Sequence, residues 1–581
     1  MLFSTYSSTC ICLVVFLTLT TSWTSAARRM ASSGAAQQDT FRLATYYSDH
    51  MVLQRAPDSA VIWGFAKPAT NITLIFKEMK YTAIAEVVSY SSEGVWKVTL
   101  EPQPPSGPFT IKITADNGGV VEVVELQDIL FGDVWVCSGQ SNMAFDVKAA
   151  FNSSEALEQS YQYTNIRLLA ITEVMSTTPL YDLTSIYEPW SLPTPATLGA
   201  DNAAFQLYFS AVCWFFGRDL FDHLQYPIGL ISVNWGGTPI ESWSSPRVLK
   251  QCNMTAPLSS ESTYKQRSSH PMRLNETKFE KRTTGKPFIY DGPKAHYILW
   301  NAMIHPLLNM SIKGAIWYQG EDNAVADPST YNCLFPAMIN DWREQWYIGT
   351  GQHMSNQFPF GFVQLCNSEY PEPGNANFTS LRWHQTADYG YVPNPTMPGV
   401  FMAVAIDLPD VKSPHGPVHP RDKQDVSARL VLGARDVAYN ESYVTFQGPF
   451  PSSVVGMTNQ IQIQFNSGKV QLDLINNEGF DVCCAQTVTD CPIQGNMSWT
   501  PTNITDSFQN STINIKDPCL FGQGVAVRYI WRDLPCQFKK CPLYDSMTKL
   551  PVPPFFLPVS SRSSKQGPGG EKICGKKVLT V

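Results

Sequence analysis

Between about Phe41 and Glu125 the chain alternates short apolar stretches with turn residues: Val61-Ile62-Trp63, Ile72-Thr73-Leu74-Ile75-Phe76, Val95-Trp96-Lys97-Val98 and Phe109-Thr110-Ile111-Lys112-Ile113. Pro and Gly separate these runs and no helical period appears, which predicts a small all-β unit, a sandwich, over residues 41–125. Near Leu126 the pattern changes. Strand-like runs now alternate with amphipathic stretches, the signature of a doubly wound parallel sheet with helices on both faces. The predicted strands are Val134–Cys137, Ile166–Ala170, Ile228–Val233, Ile312–Trp317, Phe360–Leu365 and Phe401–Ile406. The predicted helices include Ala211–Leu224, Trp300–Leu308, Tyr331–Trp346, Ser380–Tyr389 and Lys423–Tyr439. A polar segment from about Cys252 to Lys294 has no clear period and reads as a long loop. After Asn440 the alternation is again β-like, with cysteines dense, so residues 440–557 form a second β domain. The tail, residues 558–581, is rich in Ser, Gly and Lys and is expected to be disordered.

A chain of 581 residues exceeds one ordinary core, consistent with this division into several domains. Its formal charge of −7 and pI of about 5.8, with no long basic run, argue against a nucleic-acid partner. Ile11 to Leu19 is a short apolar run followed by Thr24-Ser25-Ala26-Ala27, small residues suited to signal peptidase. Residues 1–27 therefore read as a secretory signal, and no later run has the length of a membrane span. Ten N-glycosylation sequons, at Asn71, Asn152, Asn253, Asn275, Asn309, Asn377, Asn440, Asn496, Asn503 and Asn510, fit the same route. Setting Cys10 and Cys12 aside with the signal leaves twelve of the fourteen cysteines. Their clustering in a secreted chain points to disulfides. The spacing of Cys483, Cys484, Cys491, Cys519, Cys536 and Cys541 lacks the paired pattern of a zinc site. No metal or organic cofactor is implied.

The candidate chemistry begins at Val134-Trp135-Val136-Cys137-Ser138-Gly139-Gln140-Ser141-Asn142-Met143. A buried strand ends in Gly139, and Ser141 then stands at the carboxyl edge of the sheet, where open α/β folds place their reactive groups. A serine there is either a nucleophile or a helix N-cap. A nucleophile also requires a base and donors for an oxyanion. Gly236 and Gly237 follow the strand Ile228–Val233, where a backbone N–H can approach a developing oxyanion without a Cβ in the way; a tight βα turn is the alternative. Asn323 follows Ile312–Trp317 and offers a side-chain amide, or another cap. His419 precedes the last helix, and the proline after it biases it towards an extended backbone. It is a candidate base among nine histidines, most of which are solvated loop or surface groups.

The order Ser141, Gly236, Asn323, His419 resembles the four blocks of the SGNH hydrolase superfamily. Several longer stretches are similar to the sialate O-acetylesterase family. They are Ser48-Asp49-His50-Met51-Val52-Leu53-Gln54-Arg55, Gly139-Gln140-Ser141-Asn142-Met143, Leu299-Trp300-Asn301-Ala302-Met303-Ile304-His305-Pro306, Gln319-Gly320-Glu321-Asp322-Asn323-Ala324 and His419-Pro420-Arg421-Asp422-Lys423-Gln424. The similarity continues through Tyr529-Ile530-Trp531, Cys536, Cys541-Pro542-Leu543-Tyr544 and Pro551-Val552-Pro553-Pro554-Phe555-Phe556, and spans roughly residues 41–557. It implies an SGNH esterase domain over residues 126–439. The implied activity is removal of O-acetyl groups from sialic acids or sialoglycans, chiefly at the 9 position, by a protein routed to lysosomes or outside the cell.

On that resemblance Ser141 is the nucleophile, His419 the base and then acid, and Gly236 or Gly237 with Asn323 the oxyanion donors. Many superfamily members carry Asp three residues before the histidine, but here that position is Gly416. Either a backbone carbonyl near Gly416 orients the imidazole, or Asp407 or Glu321 acts as a third member. Arg382 is a candidate for the sialic acid carboxylate, because its fork binds carboxylates bidentately; a surface or helix ion pair is the alternative. Two other functions remain open: an SGNH acetylesterase for another acetylated glycan such as xylan, and a non-catalytic glycan-binding relative.

Overall fold

The computed structural model describes residues 41–560, except 90, 92, 200–208, 255–291, 367–376, 494, 496, 509–510 and 521–523. The predicted signal segment, most of the predicted loop near 252–294 and the predicted tail beyond 560 thus lie outside the described residues. The central sheet runs, from one edge to the other, Ile186–Ser191, Ile166–Ile171, Ile228–Asn234, Val121–Gly139, Gly314–Tyr318, Phe360–Gln364 and Val400–Val404. All neighbours are parallel except the edge strand Ile186–Ser191, which lies antiparallel on Ile166–Ile171. That edge strand has no counterpart among the predicted elements. Its alternating half-buried pattern shows why, since a short edge strand lacks the continuous apolar run of its neighbours.

Helices cover both faces because successive strand residues point oppositely. Trp135 packs edge-on against Phe216 of the helix Ala211–Leu224. Trp317, on the other face, meets Phe335 and Trp342 of the helix Tyr331–Gly349. Cys137, on the Trp135 face, is bonded to Cys213 of that first helix.

Three elements depart from the sequence reading. The predicted division at 125/126 falls inside one continuous strand, Val121–Gly139, whose first half pairs antiparallel with the β-domain strand Ser106–Asp116. Its second half enters the parallel sheet, so one strand carries both layers. The predicted helix Trp300–Leu308 is a π-helical turn, Trp300–Ile304, followed by a short 3-10 turn at His305–Leu307, where Pro306 lacks the N–H to continue a helix. The helix predicted at Ser380–Tyr389 spans Phe378–His384, capped by Asn377, and Ala387 and Asp388 beyond it adopt positive φ.

After the helix Lys423–Val437 the chain builds antiparallel sheets, among them Pro451–Met457 with Gln460–Phe465 and Thr512–Lys516, and Phe480–Cys483 with Ala526–Tyr529 and Phe555–Pro558. Residues 558–560, predicted as the start of the tail, are still tied into the domain, because Ser560 exchanges backbone hydrogen bonds with Val454 and Gly456. Among the described residues five disulfides form: Cys137–Cys213, Cys252–Cys333, Cys483–Cys491, Cys484–Cys519 and Cys536–Cys541. Cys366 belongs to none of them and is a buried thiol. No helix among the described residues is long and apolar enough to cross a membrane.

Candidate active site

Three parallel strands end in register at the carboxyl edge, where Gly139 stands opposite Asn234 on one side and Tyr318 on the other. The segments that follow them, Gln140–Asn142, Trp235–Gly237 and Gln319–Asn323, are therefore neighbours before any side chain is considered. Trp235 N–H donates to the Gly139 carbonyl at 3.1 Å, and Gln140 N–H to that of Tyr318 at 3.0 Å. Gly139 has φ of +142°, and a Cβ there would lie 2.2 Å from the Tyr318 carbonyl oxygen. Only glycine allows the turn that delivers Ser141.

Ser141 begins no helix. It lies in a turn closed by Met143 and Ala144 N–H on the Gln140 carbonyl, so the N-cap alternative does not apply. Nor is it freely exposed: it retains 6% of its accessible surface. Part of the cover comes from His419, whose Nε2 lies 2.8 Å from Ser141 Oγ. His419 Nδ1 lies 2.8 Å from the carbonyl oxygen of His415. A carbonyl can only accept, so Nδ1 carries the proton and Nε2 is left as the acceptor for the serine hydroxyl. Burial pushes the His419 imidazole down to about 4, against the raising effect of the His415 carbonyl and with further lowering by Lys423 and His415. The pair is thus a neutral base hydrogen-bonded to a hydroxyl, the arrangement that makes serine a nucleophile.

Neither carboxylate considered as a third member reaches His419. Asp407 is buried and paired with Arg429 at 2.6 Å, and also accepts from Tyr544 at 3.3 Å. Glu321 accepts instead from Asn142 Nδ2 at 2.5 Å. Both are corrections to the sequence reading, with one cause: each carboxylate has a closer buried donor. The orienting group in the structure is the carbonyl of His415, the residue before Gly416.

Asn323 sits in the first turn of the helix Glu321–Ala326 and is 1% exposed. Its Oδ1 accepts from Ile240 N–H at 3.0 Å and from Gln319 Nε2 at 2.9 Å, which settles the orientation of the amide. Nδ2 then donates one hydrogen to Glu241 at 2.9 Å and has a second to offer. Burial raises the Glu241 carboxyl above its ordinary value, and the Asn323 N–H partly offsets this. Gly236 and Gly237 form the turn after Ile228–Asn234, Gly237 with φ of +65°. The carbonyl of Gly237 accepts from Lys294 Nζ at 2.8 Å, and Lys294 also pairs with Asp322.

Arg382 is not at the site. It is fully buried, with Nε on the Leu365 carbonyl at 2.9 Å and its terminal nitrogens on the carbonyls of Cys366, Arg532 and Asp533. Its planar fork staples the sheet edge to the C-terminal β domain and has no free side for a substrate carboxylate. Sequence reasoning missed Asn142, Lys423, His415, Gln319 and Glu241. Asn142 adjoins the serine, and Lys423 follows His419 by four residues, but their partners lie far away in the chain. Among the described residues no group of three or more His, Cys, Asp or Glu is placed to hold a metal ion.

Residues 452–559 match the family model described as the sialate O-acetylesterase C-terminal domain. The chain is 42% identical over 531 residues to the sialate O-acetylesterase of Mus musculus, covering 90% of this chain and 95% of that one. It is 41% identical over 543 residues to the Homo sapiens protein of the same name, covering 92% and 95%. A crystal structure of a carbohydrate acetylesterase from Xanthomonas citri superimposes with a TM-score of 0.67 at 26% identity, over 89% of this chain and 99% of the other. The chain belongs to the sialate O-acetylesterase family.

Proposed function

We propose that this protein is a serine carbohydrate esterase that removes O-acetyl groups from sialic acids and sialoglycans, chiefly at the 9 position. The observation that carries this is the 2.8 Å contact from Ser141 Oγ to a His419 nitrogen held as an acceptor. Ser141 Oγ attacks the acetyl carbonyl carbon while its proton passes to His419 Nε2. The carbonyl oxygen becomes an oxyanion, facing the Gly236 or Gly237 backbone N–H and the second Nδ2 hydrogen of Asn323. Collapse breaks the bond to the sugar oxygen, which leaves with the proton from Nε2. Water then attacks the acetyl-serine, returning its proton through His419, and acetate departs as Ser141 regains its hydrogen. An acetyl ester is an undemanding substrate for this Ser-His dyad, in which the His415 carbonyl dipole replaces a carboxylate beside the imidazolium.

The protein follows the secretory route to lysosomes or outside the cell. Five disulfides support this, as do exposed sequon asparagines at Asn71, Asn152, Asn253, Asn440 and Asn503. Acetate release from 9-O-acetyl sialic acid, set beside acetylated xylan, tests the substrate. Turnover of the first is expected; turnover of xylan alone would overturn the sialate reading.

A further inference from the structure

Beneath the Ser141–His419 pair lies a buried polar chain that the mechanism does not use. Lys423 Nζ donates to Asn142 Oδ1 at 2.5 Å, and Asn142 Nδ2 donates to Glu321 Oε1 at 2.5 Å and to the Val418 carbonyl at 2.8 Å. Lys423 is 0% exposed, Asn142 2% and Glu321 6%. The ammonium is also walled by the rings of Phe145 and Tyr318, at 4.6 and 4.9 Å from their centroids. Asn142 is the residue after the nucleophile, and Val418 the residue before the base. One amide thus bridges the serine turn, the loop carrying the histidine and the turn that leads to Asn323.

We propose that Lys423 is a positioning residue of the esterase, holding the Asn142 amide in the one orientation that ties the serine turn to the histidine loop. The inference rests on the Ser141–His419 reading. An Asn side chain can flip, exchanging donor and acceptor ends. Two acceptors, Glu321 and the Val418 carbonyl, demand Nδ2 on one side, and the lysine donor demands Oδ1 on the other. Without Lys423 the Oδ1 end loses its buried ionic donor and the Val418 tie loosens. Misplacement of a reacting pair by about 1 Å costs roughly 10²-fold in rate. Lys423 does not touch Ser141 Oγ or the reacting atoms, so its effect is on geometry and on the local field.

Burial lowers the ammonium from its ordinary value and raises the Glu321 carboxyl, each partly offset by the other. The charged and titratable groups acting on Lys423 are Glu321, Cys366, Asp422 and Asp410; those acting on His419 are Lys423 and His415. The positive charge of Lys423 holds the imidazole down, so its loss raises the His419 pKa and moves the acid limb of activity to higher pH.

The test uses Lys423→Met, which keeps volume but removes charge and donor, and Lys423→Met/Glu321→Gln, which leaves no unpaired buried charge should the single variant fail to fold. Three quantities are read on folded protein: kcat and KM for acetate release, the pH profile of kcat/KM, and the rate of Ser141 labelling by a fluorophosphonate. Both variants should lose about 10²-fold in kcat with KM within about twofold. Labelling should slow in parallel, and the acid limb of Lys423→Met should shift upward. Normal kcat in either folded variant, or recovery of kcat in the double variant, overturns the proposal and leaves Lys423 as a charge partner alone. Wild-type enzyme that labels at Ser141 but releases no acetate from sialic acid would fault the substrate reading, while the labelling rates still judge Lys423.

Discussion

His419 Nδ1–H donates to the backbone carbonyl of His415, four residues earlier in the same loop, at 2.8 Å. A neutral acceptor thus stands where many serine hydrolases place a carboxylate; it fixes the tautomer and favours the charged ring only in part. Burial then dominates, pushing His419 down to about 4.

The acid limb of kcat/KM follows from that shift. His419 acts as a base only when neutral, so activity should persist as pH falls through 6.5, the ordinary histidine value, and decline only as pH approaches about 4. A pH profile on a soluble acetyl ester checks this. A limb centred near or above the ordinary value would contradict the buried, carboxylate-free base.

Ser141→Ala removes the hydroxyl proposed to form the acyl bond. Loss of such a nucleophile costs roughly a millionfold in kcat. Circular dichroism should show an unchanged fold, because the serine turn is closed by the Gln140 carbonyl and not by the hydroxyl. Near-normal turnover in the folded variant would sink the mechanism.

Asn323→Ala should lower kcat far more than it raises KM, by about 10²–10³-fold, the usual cost of one oxyanion donor. Glu241→Ala should produce a weaker version of the same defect, because it frees Nδ2 from the 2.9 Å contact that aims it. Steady-state kinetics separate the two effects. A rise in KM alone would make Asn323 a ground-state substrate contact.

Asp407→Asn should cost stability and spare chemistry. It breaks a buried pair with Arg429, for which the loss is about 3–5 kcal/mol. Thermal unfolding should register this while kcat of the folded fraction stays close to that of the parent enzyme. Collapse of kcat to the level of His419→Ala would restore Asp407 as a triad member.

Peptide mapping of a non-reduced digest should recover Cys483–Cys491, Cys484–Cys519 and Cys536–Cys541 as the linked pairs of the C-terminal domain. Cys483 ends its strand buried, while Cys484 just beyond it is exposed, and the two have different partners. A Cys483–Cys519 link would contradict this register.

The sequence by itself determined the layers and singled out the two side chains proposed to react. Apolar runs such as Ile228–Val233 and Phe401–Ile406 were legible as strands because parallel strands are buried on both faces, and Ser141 and His419 because each follows such a strand in a short motif. It also disclosed the lack of an aspartate at Gly416, and with it the choice between a carbonyl and a distant carboxylate. Only the tertiary structure could make that choice. Asp407, Glu321 and Arg382 are each of the right chemical type, but a charged side chain serves whichever partner lies within hydrogen-bond reach. Those partners, Arg429, Asn142 and the carbonyls of Cys366, Arg532 and Asp533, come from 16 to 179 residues away. The same holds for Lys423 and the amide it holds, 281 residues apart in the chain. Local patterns report which face of an element is buried; they carry no information on which distant loop the sheet edge brings alongside, and that juxtaposition assigns each buried charge its role.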